Sequence, residues 1–123
     1  MKNPLQITFR DIDPSSAVEA RIRDHASKLD ELYEGIVSCR VMVETSHRHH
    51  HKGRLFHVRI DLTMPGAELV VSRDPEDDHA REDVYVAIRD AFDAARRRLQ
   101  NRAQRQRGEV KVHSATVSPE GPA

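Results

Sequence analysis

Four histidines, at positions 47, 49, 50 and 51, are the side chains of this sequence most able to do chemistry. Imidazole is a ligand for zinc and similar ions, and it changes charge close to neutral pH. The spacing argues against a metal centre. Neighbouring residues in a short hairpin loop do not converge easily on one ion, and no Cys, Asp or Glu lies between His47 and Arg54. Only His57 and His79 are at hand as further donors. The segment is also basic throughout, and Arg48, His49, His50, His51, Lys52 and Arg54 read as a loop tip that gains charge below about pH 6.5. Such a tip is suited to a secondary contact with RNA. A metal-binding protein built around His47 to His51 is the alternative.

A second constellation lies near the end of the chain. Arg96, Arg97, Arg98, Arg102, Arg105 and Arg107 fall within twelve residues with no acid among them. Asp74, Glu76, Asp77, Asp78, Glu82 and Asp83 crowd the residues that precede this helical stretch. The helix dipole favours acids at the start and bases at the end, but its influence fades within about one turn. It explains the direction of the gradient and not its size. Arginines without counter-ions repel one another, and an anionic partner relieves that repulsion. Guanidinium grips phosphate with two parallel hydrogen bonds. The pattern therefore points to nucleic-acid backbone.

Other chemistries find little support. No glycine-rich phosphate loop of the Walker or dinucleotide type occurs. Ser15 and Ser16 stand where a helix begins, which is ordinary capping. The carboxylates from Asp74 to Asp78 read as a solvated turn, and no nucleophile is paired with a base. Cys39, the sole cysteine, lies in an apolar alternating run and reads as a small buried hydrophobe. The residues thus imply a binding protein without cofactor, metal or small-molecule substrate.

The bulk composition agrees. Lys plus Arg equals Asp plus Glu at 20 each, so only the arrangement of charge can select a partner. The aromatics are Phe9, Phe56, Phe92, Tyr33 and Tyr85, too few to stack successive unpaired bases. Recognition of structured RNA by shape and backbone remains. No apolar run approaches the roughly 20 residues of a membrane span, and the N-terminus lacks the apolar centre of a signal peptide. A cytoplasmic protein is expected.

The elements that must position these residues follow from periodicity. Leu5, Ile7 and Phe9 alternate with polar residues as a short strand. Asp13-Pro14-Ser15-Ser16 opens a helix, expected from about Pro14 to Tyr33, with Val18, Ile22, Ala26, Leu29 and Leu32 on one stripe. Gly35 is the expected stop. Val37, Cys39, Val41 and Val43 mark a second strand, Phe56, Val58, Ile60 and Leu62 a third, and Leu69 and Val71 a fourth after the Pro65-Gly66 turn. A last helix is expected from about Glu82 to Gln106, with Val84, Ile88, Ala91, Phe92, Ala95 and Leu99 inward. The prediction is an α+β fold in the order β-α-β-β-β-α, a four-stranded mixed sheet with two helices packed on one face. Thr8, Arg10, Arg40, Glu44, His57, Arg59, Asp61 and Ser72 would line the open face as a solvated, mutually paired surface. One domain is expected over 1–107 and a flexible C-terminal tail over 108–123.

Three stretches, in this order, resemble the short ribosome hibernation-promoting factors and the related ribosome-associated inhibitor. They are Ser27-Lys28-Leu29-Asp30; Phe56 to Thr63 leading through Pro65-Gly66 into Glu68-Leu69-Val70-Val71; and Glu82 to Ile88 opening the last helix before the arginines. The resemblance covers about residues 5 to 107. It implies a ribosome-binding domain that occupies the messenger and transfer RNA path of the small subunit, contacts its ribosomal RNA, and silences translation by occlusion under stress. Carried over by position, the RNA-binding residues are Arg97, Arg98, Arg102 and Arg105, with Lys28 from the first helix, and the charge pattern adds Arg96 and Arg107; Asp83 reads as capping the last helix and Tyr85 as packing near its start. A general double-stranded RNA-binding module is the rival reading.

Overall fold

The computed structural model describes residues 1–47, 54–72 and 83–115, with side chains described for 1–45, 55–72 and 83–103. The elements run β1 (Gln6–Arg10), α1 (Ser16–Leu32), β2 (Ser38–His47), β3 (Arg54–Met64), β4 (Ala67–Val71) and α2 (Val84–Ala115). The strands lie in the order β1-β2-β3-β4 in one sheet. β1 and β2 are parallel, and the other two pairs are antiparallel. The α+β architecture with a mixed sheet is therefore as the periodicities predicted.

Alternation decides the two faces of the sheet. Val41 stands opposite Ile7 on one side and Ile60 on the other, and Ile60 in turn faces Val71, so one row crosses all four strands. Cys39, Val43, Val58 and Leu62 lie on the same face and are buried with it. Val18, Ile22, Ala26 and Leu29 of α1 close the core together with Ala87, Ile88, Ala91, Phe92, Ala95 and Leu99 of α2. Ala87 and Ala94 join the α2 stripe, and their small side chains let the helix lie close to the strands. Burial pushes the Cys39 thiol up to about 12, with Asp61 adding to the effect. The thiolate is the reactive form. We expect Cys39 to resist alkylation in the native protein and to react once urea unfolds it, and thiol labelling across a urea series checks this.

Local signals set the ends of the elements. The Ser15 hydroxyl accepts a hydrogen bond from the Val18 amide at 3.3 Å and caps α1. At the other end the backbone becomes extended at Tyr33, whose N–H still reaches the Leu29 carbonyl. Gly35, the expected punctuator, is not the cap: among the described residues only Asp11 and Gly66 have positive φ. Asp11, at φ 61, turns the chain out of β1, a conformation that Asp tolerates better than most residues. Gly66, at φ 75 after Pro65, supplies the left-handed residue that a type II turn requires between β3 and β4.

Three expectations need correction. The last helix does not end near Gln106 but continues to Ala115. Gly108 within a helix costs only about 1 kcal/mol, and the next proline is Pro119, so no strong breaker intervenes. His57, expected on the solvated outer face, is only 4% exposed, and it lines a depression there with Arg10, Met42, Glu44 and Arg59. Asp61 does pair with Arg40 at 3.6 Å and Arg59 at 3.0 Å, as the interleaved charges suggested, whereas Arg10 has no acid within ion-pair reach among the described residues.

Candidate nucleic-acid interface

The helix layer presents its polar surface away from the sheet, and the two helices meet through an aromatic contact. The His25 ring of α1 stacks on Phe92 of α2, with centroids 5.2 Å apart and planes 12° from parallel. One turn away, the Arg21 guanidinium carbon lies 4.8 Å from the centre of the Tyr85 ring. Asp83 fixes Tyr85 there: its carboxylate accepts from the Tyr85 amide at 2.8 Å and from the Val86 amide at 3.4 Å, so it caps α2 as expected. A cation over an aromatic face is worth about 0.5–1 kcal/mol at an exposed site. The contact holds Arg21 beside the partner helix.

Between these contacts runs a shallow depression of about 360 Å³, lined by Arg21, His25, Lys28, Tyr85 and Arg89 with Asp24 at one side. Residues Arg21, His25 and Lys28 follow one another at four and three positions, the spacing of a single helical face. Arg89 and Arg96 are seven apart, which is two turns, and line the facing edge of α2. Lys28 pairs with Asp24 at 3.3 Å, Arg89 with Asp90 at 3.3 Å and Arg96 with Asp93 at 3.7 Å. These are exposed pairs, worth little and open to exchange for a phosphate. The groove is thus a basic channel with weakly held cations.

The arginines of α2 do not form one patch. With about 100° between successive residues, Arg97 stands opposite the buried stripe and faces outward, whereas Arg98 points half a turn from Arg89. The Arg98 guanidinium donates to the Val70 carbonyl on the outer edge of β4. That bond ties α2 to the sheet and satisfies an edge carbonyl. Arg102 is half-buried beyond Leu99, with no acid in reach among the described residues. Arg105 and Arg107 continue the helix backbone, and their side chains lie outside the described residues.

Of the basic loop, Arg48, His49, His50, His51 and Lys52 lie outside the described residues, as does the Arg54 side chain. The ends of the loop are held: His47 pairs with Arg54 at the last rung of the β2–β3 ladder. Among the described residues no three of His, Cys, Asp or Glu gather to hold a metal ion, and no helix is long and apolar enough to cross a membrane.

Lys28 therefore falls in the groove, and Arg21, Arg89 and Tyr85 join it although the sequence did not single them out as contacts. The repeat of Arg21, His25 and Lys28 on one face of α1 was a usable signal. What it lacked was knowledge that this face meets the start of α2.

The fold has known counterparts. A ribosomal subunit interface protein from Coxiella burnetii superposes with a TM-score of 0.65 at 13% identity, over 81% of this chain and 97% of that one. The N-terminal domain of Thermus thermophilus Protein Y superposes with a TM-score of 0.57 at 18% identity, over 78% of this chain and 93% of that one. Among curated proteins, no sequence matches the chain significantly. Residues 5–107 match the family described as sigma 54 modulation protein / S30EA ribosomal protein. With the β-α-β-β-β-α order and the basic groove across its helices, the chain belongs to that family, which is the family of the hibernation-promoting factors.

Proposed function

We propose that the protein binds the small ribosomal subunit through its helix layer, occupies the path of messenger and transfer RNA at the decoding region, and inhibits translation by occlusion under stress. The observation that carries this reading is the basic groove where Arg21, Lys28 and Arg89 converge from two helices around Tyr85. The family match over 5–107 and the likeness to proteins named for a ribosomal subunit interface support it. The mechanism needs no reaction. Cations placed along a rigid helix pair neutralise ribosomal RNA phosphates, and the volume of the domain excludes other ligands.

Within this reading residues 1–107 are the ribosome-binding domain and 108–123 a tail outside it. Arg96 and Arg97 extend the groove toward the C-terminal end of α2, with Arg102, Arg105 and Arg107 beyond them. Arg98 contributes through the donors that its bond to Val70 leaves over. Arg48, His49, His50, His51, Lys52 and Arg54 form a second contact at the far end of the β2–β3 hairpin.

Co-sedimentation with purified small subunits and whole ribosomes, with translation assayed alongside, tests the proposal. One copy per small subunit and lost translation support it; absence of binding at low salt refutes it. Salt provides a further check. Four phosphate contacts give a log–log slope of about −3.6, so affinity should fall roughly a hundredfold between about 50 and 200 mM salt. A much flatter dependence measured in the same sedimentation assay would count against a phosphate-dominated interface. Equal affinity for any RNA duplex would favour the general double-stranded RNA module instead.

A further inference from the structure

His25 sits at the floor of the groove with one face of its ring covered by Phe92. The charged and titratable groups around it come from both helices: Arg21, Asp24 and Lys28 from α1, and Tyr85, Arg89 and Asp93 from α2. Both acids already have cationic partners, since Lys28 lies 3.3 Å from Asp24 and Arg96 lies 3.7 Å from Asp93. The imidazole is thus the one histidine ring in a channel that also carries Arg21, Lys28 and Arg89.

In the free protein the surroundings favour the neutral ring. Burial lowers its pKa below 6.5; Asp24 opposes this, Lys28 and Arg21 reinforce it, and Asp93 opposes it again. An RNA phosphate seated between Arg21, Lys28 and Arg89 reverses that balance. It brings negative charge over the ring, draws the neighbouring cations onto itself, and gives an imidazolium N–H an acceptor.

We propose that the groove takes up an RNA phosphate together with a proton, and that His25, protonated on binding, is a direct ligand of that phosphate. The inference rests on the groove being the ribosomal RNA site proposed above. Its consequence is a ribosome affinity that responds to acidity. The sign is set by linkage. The ring binds a proton more tightly in the complex than in the free protein, so affinity rises as pH falls from the bound-state pKa toward the free-state pKa. Above both values, and below both, affinity no longer varies with pH through His25, and it is highest on the acid side. A mildly acid cell interior would therefore strengthen binding without any change in protein level.

The test measures co-sedimentation of the full chain with purified small ribosomal subunits from roughly pH 6 to pH 8 at constant ionic strength. It compares the wild type with His25→Phe, which keeps a ring on Phe92, and His25→Gln, which keeps a polar side chain that does not titrate. The other histidines are common to all three proteins and cancel in the comparison. The expected result is a wild-type advantage over either variant that is about three- to tenfold larger at the acid end than at the alkaline end. A second readout follows the His25 ring protons by NMR with and without a short A-form RNA duplex, and the midpoint should move to higher pH when RNA is present. Identical pH profiles for wild type and variants, or a midpoint unmoved by RNA, would overturn the proposal. If the wild type fails to bind subunits at every pH, the ribosomal reading falls instead, and the midpoint shift with duplex RNA still decides the proton coupling.

Discussion

Replacing Arg21, Lys28, Arg89 and Arg97 together with alanine should lower affinity for the small ribosomal subunit by about a thousandfold while leaving the domain folded. The four side chains project from the helix layer, and none belongs to the buried core. Hydrogen bonds to charged groups contribute about 1.5–3 kcal/mol each when formed, and about 1 kcal/mol survives per residue once solvent screening is allowed for. Four such losses reach about 4 kcal/mol, and each 1.4 kcal/mol is a factor of ten. Stability should change little. The contacts that disappear are Arg21 over Tyr85, worth about 0.5–1 kcal/mol, and the exposed pairs of Lys28 with Asp24 and Arg89 with Asp90, worth little. Sedimentation titrations give the affinity, and thermal unfolding monitored by circular dichroism gives the stability. The control is Arg40→Ala with Arg59→Ala on the opposite face of the sheet, where both side chains pair with Asp61. This control should bind like the wild type. If the control loses affinity and the groove variant keeps it, the helix layer is the wrong face.

Truncating Ile60 to alanine should destabilise the domain by about 3 kcal/mol, within the 2–5 kcal/mol range of such substitutions. Ile60 is fully buried on β3, a strand paired on both sides, with Val41 and Val71 as its cross-strand neighbours. The lost methylene groups leave a cavity beneath α2 that regular strands cannot collapse to fill. A single domain with a modest core has about 5–15 kcal/mol in total, so the loss is a large share. At about 4–8 °C per kcal/mol the melting temperature should fall by roughly 12–24 °C. Ribosome binding at low temperature should persist, because the surviving folded molecules keep the groove. A melting temperature within about 3 °C of wild type would mean that the row across the strands is not the centre of the core.

These two expectations separate the proposed binding surface from the interior that positions it, and the two were not equally legible in the residues. Period-two alternation from Phe56 to Leu62 announced β3, and its inward residues are the buried ones. The stripe of Val18, Ile22, Ala26 and Leu29 did the same for α1. Such patterns are legible because they depend on the backbone repeat alone and on which side faces water. Asp83 at the head of α2 and Ser15 at the head of α1 were legible for a similar reason, since capping is local.

Elsewhere local pattern fell short. Arg96, Arg97 and Arg98 are adjacent in the chain, and the helical repeat alone turns Arg97 outward with the other two on its flanks, but it does not name their partners. On the helix they diverge, toward Asp93, toward solvent and toward the edge of β4 respectively. Arg21 and Arg89 are 68 positions apart and share one groove, an outcome that depends on how α1 packs against α2. His57 read as a solvated residue from its place on the outer face, yet it is buried, which strand alternation alone does not reveal.

The sequence by itself determined the order of elements, the inward face of each, the N-terminal caps of both helices and the family. Each of these is written in residue type at short spacing, and short-range sterics and hydrophobic periodicity suffice to read it. Only the tertiary structure decided which cations stand together, that His25 rests on Phe92 between them, and that Arg98 binds the sheet. Those neighbours come from different elements, and their proximity is set by packing the two helices and the sheet around one core. No local pattern encodes that packing.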